Sequence, residues 1–264
     1  MTMHISGTDY EVSASPVITD ETVGGIAVLI FDITEKEKAE KIRREFTANA
    51  SHELKTPIQA ISGSAELLKN HMVKEEDREQ FYERIYNEAQ RMITLVDDII
   101  GLSRLDEGTS EMKREDVDIY ELAEDTVKSF KAPAAMNKVA LSLEGESAVI
   151  SGIPALLNGI IYNLTDNAVK YNRENGSVSL RVENRPEEVV LSVSDTGIGI
   201  PEADRERIFE RFYRVEKSRS KAVGGTGLGL SIVKHAVKAH NARIELNSVM
   251  DGGTTVTVRF PKNS

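Results

Sequence analysis

The chain has 264 residues, with 40% hydrophobic and 29% charged residues, so we expect a soluble globular protein of two or more domains. Aromatic residues make up 5%, Trp is absent and the formal net charge is -10, which disfavours binding to nucleic acid or to an anionic membrane. The absence of cysteine excludes disulfides, thiolate nucleophiles and cysteine-based metal sites. The longest apolar run, residues 24–31, is too short to span a bilayer.

Residues 1–33 contain β-branched runs that predict strands, with a break at Asp20-Glu21. Two or three strands cannot close a stable domain alone. We therefore expect the incomplete end of a sheet domain, or an edge that pairs with another chain.

The hydrophobic period changes to that of a helix at Thr34, which we predict to cap a helix with Glu37 as its capping-box partner. Apolar or small residues then recur every three or four positions up to Met72, and a second such series follows a charged link at 74–79. The first series comprises Ile42, Phe46, Ala50, Leu54, Ile58, Ile61, Ala65, Leu68 and Met72, and the second comprises Phe81, Ile85, Met92, Leu95, Ile99 and Leu102. Gly108 is predicted to end the second helix.

Two long helices with a short link form an antiparallel hairpin that has one apolar stripe to bury. Pairing two hairpins into a four-helix bundle buries that stripe, so we expect a homodimer.

The pattern after residue 112 is mixed α/β. It predicts strands at 139–143, 178–183, 189–194, 243–247 and 254–260, and helices at 117–131, 154–171 and 229–240. We expect a sheet covered by helices on one face, with Asp251-Gly252-Gly253 as a hairpin turn between the last two strands.

Three segments of this region carry polar or glycine-rich patterns. Asn163, Asn167 and Lys170 share one helical face, where amide oxygens and an ammonium suit Mg²⁺ and phosphates. The face could equally be a solvated polar surface.

Asp195 ends an apolar strand and is followed by Gly197 and Gly199. A carboxylate there can accept a hydrogen bond from an exocyclic amine such as that of adenine, while the glycines let a flat base approach the backbone. A plain turn is the alternative.

The third segment is Gly224-Gly225-Thr226-Gly227-Leu228-Gly229-Leu230, which opens the last helix. Glycine-rich backbone at a helix N-terminus presents free N–H groups and a positive dipole end to phosphate, and it could act as a lid. A mobile linker is the alternative, which the helix directly behind the segment disfavours.

The order and spacing of these segments resemble the N, G1 and G2 boxes of the Bergerat-type ATP-binding fold, and residues 208–214 resemble its F box. The resemblance implies an α/β sandwich that binds ATP under a mobile lid. It also implies specific roles: Asp195 reads the adenine amine, Asn167 holds Mg²⁺ with Asn163 beside it, Lys170 and Arg214 contact phosphates, and Tyr171 packs by the base.

In ATPases of this fold, the resemblance implies a water-activating glutamate at the position of Asn163. An amide has no useful basicity at neutral pH, which argues against hydrolysis as the purpose and for transfer to another acceptor.

His52 is two residues from both Ala50 and Leu54 of the apolar stripe, about 200° away around the helix, so it is predicted to face solvent. Its imidazole is largely neutral and nucleophilic at cellular pH, and the adjacent Glu53 can act as a general base at Nδ1. Thr56 lies one turn along the same face and could position a water, and Pro57 removes one helical hydrogen bond and should loosen the helix there. An exposed histidine without a role is the alternative.

The segment Ser51-His52-Glu53-Leu54-Lys55-Thr56-Pro57 resembles the H box of two-component sensor histidine kinases, and the H, N, G1, F and G2 boxes occur in that family's order over residues 40–262. The family implies autophosphorylation of His52 and transfer to an aspartate of a response-regulator receiver domain. It also implies that Thr56, with His52 and Glu53, supports dephosphorylation of that aspartate.

Residues 31–35 after the N-terminal strands resemble the end of a PAS domain that runs into its signalling helix. We therefore expect partial PAS-like strands at 1–33, a signalling helix with the dimerisation and phosphotransfer hairpin at 34–110, and an ATP-binding domain at 111–264. The expected location is cytoplasmic, as part of a longer membrane-anchored sensor, without membrane contact by these residues.

Two other functions remain open from the sequence. One is a Bergerat-type ATPase whose hairpin only dimerises, which Asn163 disfavours. The other is a nucleotide-binding pseudokinase scaffold, which the intact His52, Glu53, Asn167 and Asp195 disfavour.

Overall fold

A computed structural model describes residues 1–19, 22–107, 112–215 and 225–262 of the chain. The chain divides into two compact units, residues 1–55 and 56–264. Among the described residues, no helix is both long and apolar enough to cross a lipid bilayer.

The first unit begins with an antiparallel three-stranded sheet, as the β-branched runs predict. Its strands are β1 (Thr2–Ile5), β2 (Thr8–Thr19) and β3 (Thr22–Asp32), in the order β1-β2-β3. Ser6 and Gly7, both at positive φ, form the two-residue turn between β1 and β2. Large apolar side chains of β3, including Ile26, Val28 and Ile30, are exposed within this unit. Among the described residues of this sheet, these large apolar side chains are therefore left without a covering layer, and the PAS-like assignment of the strands stays a prediction.

Helix α1 (Thr34–Lys69) follows the sheet. The predicted capping role of Thr34 is wrong in detail, because its hydroxyl donates to Asp32 at 2.6 Å and accepts from the Asp9 N–H at 2.9 Å. The first helical hydrogen bond runs from the Glu37 N–H to the Ile33 carbonyl. The carboxylate of Asp32 accepts the Thr34 N–H and stands at the positive end of the helix dipole.

The second unit contains the rest of α1, a short 3-10 turn at Glu75–Asp77 and helix α2 (Arg78–Glu107). This helical pair confirms the predicted hairpin and its charged link. Gly108, the predicted helix end, lies outside the described residues.

An α/β region completes the second unit. Its five-stranded sheet has the order β5-β7-β8-β10-β9, in which β5 is parallel to β7 and the other pairs are antiparallel. A two-stranded sheet pairs β4 with β6. The elements in chain order are β4 (Glu115–Asp118), α3 (Ile119–Met136), β5 (Ala140–Gly145), β6 (Val149–Gly152), α4 (Pro154–Lys170), β7 (Ser177–Asn184), β8 (Glu188–Asp195), α5 (Gly229–Ala239), β9 (Arg243–Val249) and β10 (Gly253–Pro261).

The three helices α3, α4 and α5 pack against one face of the five-stranded sheet, as predicted, and the core lies between them. The sheet contributes alternate residues such as Val178, Leu180 and Val182, which are fully buried. The opposite face carries Ser192 and Thr257, whose hydroxyls are 3.2 Å apart. The hairpin turn predicted at residues 251–253 joins β9 to β10, with Val249 paired to Gly253.

Candidate functional site

Helix α4 presents opposite faces to the core and to a polar surface. Pro154 occupies its first turn, and Leu157, Ile161 and Leu164 are buried on the core side. Asn163 and Asn167 are half-buried on the other side, and Lys170 is exposed. The predicted polar face is therefore present, and the Lys170 ammonium is 2.6 Å from Asp166 on the same helix.

The first turn of α5 lies directly against Asn163. A side chain at Gly229 would come within 2.6 Å of the Asn163 amide oxygen, while the Asn163 Nδ2 donates to the Gly159 carbonyl at 2.8 Å. The amide oxygen thus faces the helix N-terminus across a space that only glycine leaves open. Neutral oxygen donors of this kind fit Mg²⁺, which keeps several of its waters when it binds phosphate oxygens.

Asp195 is the last residue of β8, the strand that packs against α4, and it is half-buried. Its Oδ1 accepts hydrogen bonds from the Gly197 N–H at 2.7 Å and the Thr254 N–H at 3.2 Å. Burial raises the pKa of the carboxyl above its usual value, and these two bonds partly oppose the shift. Among the described residues, none donates to Oδ2, which leaves that oxygen able to accept from a ligand amine.

The loop after Asp195 touches the end of α4. The Ile198 N–H donates to the Tyr171 carbonyl at 3.1 Å, and a Cβ at Gly197 would come within 2.3 Å of the same carbonyl. Gly199 has φ +69° and lies against the backbone of Val249. Both glycines are required by close backbone approach, and this contact brings Tyr171 and Asp195 to one site.

The glycine-rich segment before α5 joins this site through its described residues. A Cβ at Gly225 would lie 3.7 Å from the Tyr171 hydroxyl. Gly227 has φ +72°, and its carbonyl accepts the Phe212 N–H at 2.9 Å. Thr226 accepts the Leu228 N–H at 3.2 Å, and Leu228 is buried. Gly224 lies outside the described residues.

The F-box segment packs next to Gly227. Phe212 takes a positive φ of 61°, where its backbone meets Gly227. The Tyr213 hydroxyl donates to Asp204, and the Arg207 guanidinium lies 4.2 Å above the Tyr213 ring. Arg214 follows directly and is half-buried.

His52, Glu53 and Thr56 all lie on α1. His52 is exposed, as its distance from the apolar stripe predicts, while Glu53 is half-buried and Thr56 is exposed. Helix α1 continues through Pro57, which is buried. His52 and Glu53 belong to the first unit, whereas Thr56 begins the second, which holds all the predicted pocket residues.

Two family matches cover most of the chain. Residues 42–108 match the His Kinase A (phospho-acceptor) domain, and residues 152–264 match the Histidine kinase-, DNA gyrase B-, and HSP90-like ATPase family. The first match includes His52, Glu53 and Thr56. The second includes Asn163, Asp195 and the glycine-rich segment.

Similar full-length proteins are sensor kinases. The chain is 36% identical to the sensor histidine kinase WalK of Bacillus subtilis (strain 168), over 90% of the chain and 40% of that protein. It is 34% identical to the sensor-like histidine kinase SenX3 of Mycolicibacterium smegmatis (strain ATCC 700084 / mc(2)155), over 97% of the chain and 72% of that protein. The chain belongs to the sensor histidine kinase family.

A solved structure supports the fold of this chain. The histidine kinase ThkA, crystallised with the response regulator protein TrrA, superposes with a TM-score of 0.67 at 23% identity, over 99% of this chain and 78% of ThkA. The helical hairpin followed by an α/β sandwich of the Bergerat type is therefore confirmed.

The domain boundaries predicted from the sequence stay predictions. The two matched ranges fall inside residues 34–110 and 111–264, and neither reaches the strands of residues 1–33. The PAS-like character of those strands also stays a prediction.

Two residues that contact the predicted site were not predicted from the sequence. Arg173 bonds to the loop after Asp195, and Asp98 of α2 accepts a hydrogen bond from Thr226. Arg173 follows the predicted site residue Tyr171 by only two positions, and that proximity was the available signal. Asp98 is distant in sequence, and nothing in its local pattern marks it.

Proposed function

We propose that the chain binds ATP with Mg²⁺, transfers the γ-phosphoryl group to His52, and passes it to an aspartate of a response-regulator receiver domain. The observation that carries this proposal is Asn163. An amide stands at the pocket where a hydrolase of this fold needs a carboxylate, so the phosphoryl group must go to an acceptor other than activated water.

The adenine end of the pocket is assigned to Asp195. Its Oδ1 is held by two backbone N–H groups, so Oδ2 can accept from the exocyclic amine of the base. Gly197 and Gly199 let the base approach the backbone, and Tyr171 packs beside it.

The phosphate end is assigned to α4, the F box and the start of α5. Asn167 holds Mg²⁺, with Asn163 beside it, and Lys170 and Arg214 contact phosphate oxygens. The backbone of Gly225, Thr226, Gly227, Leu228 and Gly229 offers N–H groups at a helix N-terminus. When bound, Mg²⁺ neutralises charge on the phosphate oxygens, as in phosphoryl transfer generally.

The acceptor step uses the imidazole of His52. Glu53 draws the proton at Nδ1 while Nε2 attacks the γ-phosphorus. The N–P bond forms as the bond between the γ-phosphorus and its bridging oxygen breaks, and ADP leaves with that electron pair. A later attack by a receiver carboxylate breaks the N–P bond, the electron pair returns to Nε2, and Glu53 gives the proton back to Nδ1, so the imidazole leaves in its neutral form.

Incubation with γ-labelled ATP tests this function. We expect label on the protein that acid removes and base does not. His52→Gln should abolish the label while nucleotide binding is kept, whereas Asn167→Asp and Asp195→Asn should abolish it through the pocket. Label that persists in His52→Gln, or a wild type that takes none, contradicts the proposal.

Phosphatase activity toward the phospho-regulator is proposed for the same helical turn. Thr56 lies one turn after His52 on α1 and is exposed, so its hydroxyl can position a water. Thr56→Ala should lower the rate of receiver dephosphorylation and leave labelling of His52 near the wild-type level. Equal loss of both activities would contradict this separate role.

A homodimer is proposed because α2 keeps an unburied apolar series. Tyr82, Tyr86, Ile93 and Ile100, at spacings of four and seven, are all exposed. Pairing with a second hairpin covers them, and a phospho-acceptor hairpin match supports it. Sedimentation equilibrium should give a dimer that Ile93→Glu weakens and Glu83→Ala, at an exposed polar position, does not.

The competing functions give different results in the same labelling assay. An ATPase releases phosphate without a phosphoprotein, and a scaffold binds nucleotide without either product.

We propose a cytoplasmic location, where the ATP and receiver domains that this chemistry requires are found. Attachment to a membrane through other parts of a longer protein stays a prediction.

A further inference from the structure

Arg173 joins two loops that border the proposed adenine site. Its Nη2 donates to the Gly197 carbonyl at 3.1 Å, to the Asp251 carbonyl and, at 3.3 Å, to the Asp251 carboxylate. Gly197 lies in the loop after β8, and Asp251 lies in the turn between β9 and β10. The Arg173 guanidinium thus links the loop after β8 to a hairpin turn that is distant in sequence.

Gly197 transmits this contact to Asp195. Its N–H donates to the Asp195 Oδ1 at 2.7 Å while its carbonyl accepts from Arg173. Gly197 is buried, and a Cβ there would come within 2.3 Å of the Tyr171 carbonyl, so its backbone has little room. A shift of this residue therefore moves the carboxylate that reads the base.

The hairpin turn provides the second anchor. The Asp251 N–H donates to the Ile198 carbonyl at 2.9 Å, and the next strand holds Asp195 through the Thr254 N–H at 3.2 Å. Asp251 itself has φ +59°, so its carbonyl is directed by an uncommon backbone conformation. Arg173 closes this ring of contacts by tying Gly197 and Asp251 together.

The contacts of Arg173 are made at the surface. Its side chain is 44% exposed and the Asp251 side chain 83% exposed, so their ion pair is largely screened by solvent. The two carbonyl contacts matter more, because Nη2 carries two hydrogens in the plane of the guanidinium, one for each carbonyl, and the longer arginine side chain sets where they lie. Removal of an exposed side chain leaves no core cavity, so the variants should fold.

We propose that Arg173 is a positioning residue for adenine recognition, which acts by holding Gly197 and, through it, the carboxylate of Asp195. This inference rests on the proposed ATP site and names a residue outside the H, N, G1, F and G2 boxes. It concerns the base-reading end of the pocket and not the phosphates.

Nucleotide titrations that need no phosphoryl transfer test the inference. The probes are ATP and purine riboside triphosphate, which lacks the 6-amino group, and the variants are Arg173→Gln and Arg173→Lys. We expect Arg173→Gln to weaken ATP binding about fivefold, with binding of the amine-free analogue unchanged. Arg173→Lys should recover only part of the loss.

Two control variants separate the contacts. Asp251→Asn keeps the main-chain carbonyl and loses the ion pair, so its ATP affinity should stay close to wild type. Arg181→Gln removes another exposed arginine of the α/β region, which pairs with Glu144 and Glu183. This control variant should bind both nucleotides as the wild type does.

The binding of the two nucleotides to wild type and to Arg173→Gln decides whether the inference holds. Equal weakening of both nucleotides by Arg173→Gln would mean a general structural role and overturn the inference, and so would no change for either nucleotide. A wild type that binds neither nucleotide overturns the proposed function, and the inference with it. If the wild type prefers ATP over the amine-free analogue and Arg173→Gln keeps that full preference, the inference is overturned and the proposed function is not.

Discussion

The hydroxyl of Thr226 donates a hydrogen bond to Oδ2 of Asp98 at 2.6 Å. Thr226 belongs to the glycine-rich segment before α5, and Asp98 is a half-buried residue of α2. Burial raises the pKa of Asp98, the Thr226 bond opposes that shift, and the Lys170 ammonium lies near enough to oppose it too. Lys170, whose ammonium is assigned to phosphates, and Thr226, whose backbone N–H is assigned to them, thus both lie near this carboxylate.

Asp98 should therefore compete with bound nucleotide. Phosphate oxygens and this carboxylate would compete for the Lys170 ammonium, and like charges repel each other in a half-buried site. We expect Asp98→Asn to tighten ADP binding about threefold to tenfold, as measured by calorimetry. Asp97→Asn removes the same charge from an exposed neighbour and should have a smaller effect. Equal effects of the two variants would reduce the result to net charge.

Asp195 should make nucleotide binding depend on pH. Burial raises its pKa, so the folded free protein takes up a proton on this carboxyl at a higher pH than an exposed aspartate would. A protonated carboxyl is a weaker acceptor for the adenine amine, so ATP affinity should fall as the pH falls towards that raised pKa. Purine riboside triphosphate carries the same phosphates and serves as the control. Parallel pH profiles for the two nucleotides would contradict the assignment of Asp195.

Gly227 should not tolerate a side chain. Its φ of +72° is unfavourable for other residues, and a Cβ would come within 2.9 Å of the Phe212 backbone. We expect Gly227→Ala to lower the free energy of unfolding by about 1–3 kcal/mol and to weaken nucleotide binding, because the hydrogen bond between these residues must shift. Gly225→Ala, whose Cβ would make only an ordinary contact with the Tyr171 hydroxyl at 3.7 Å, is the matched control. Thermal melts and titrations of the two variants should differ clearly, and equal behaviour would contradict the argument.

Long, strongly periodic elements could be predicted from the sequence. Helix α4 was predicted at 154–171 and spans Pro154–Lys170, because its buried series repeats with the helical period. Strands β7 and β8 were placed within one residue at each end because apolar and β-branched residues run through both segments. The N, G1 and G2 segments could also be identified from the sequence, because their glycines and polar residues indicate places of close backbone approach.

Short strands held by distant partners could not be predicted. The region from residue 117 was predicted as helix, but Glu115–Asp118 is a strand that pairs with Val149–Gly152, and only Val117 of it is buried. The helix begins at Ile119, where the Asp118 carboxylate accepts the Tyr120 N–H at 2.8 Å. Asp118 followed by Glu121 is a capping pattern that could have corrected this boundary.

His240 should make the stability of the α/β region depend on pH. Its side chain is 2% exposed, its Nε2 accepts the Ile153 N–H at 2.9 Å, and its Nδ1 lies 2.7 Å from the Ala236 carbonyl. The ring is therefore neutral with its proton on Nδ1, because a proton on Nε2 would oppose the Ile153 N–H.

Burial lowers the pKa of His240, the nearby Arg114 lowers it further, and the Ala236 bond partly opposes the shift. The unfolded chain thus binds a proton at a higher pH than the folded chain. The stabilisation is present above an unfolded-state pKa of about 6.5 and is lost as the pH falls from there through the lowered folded pKa. We expect the thermal unfolding midpoint to decrease as the pH is lowered from 8 to 5. His240→Gln should cost about 1–3 kcal/mol at pH 8 and give a flatter profile, whereas His71→Gln, at an exposed position, should follow wild type. A profile for His240→Gln as steep as that of wild type would show that another group controls the acid transition.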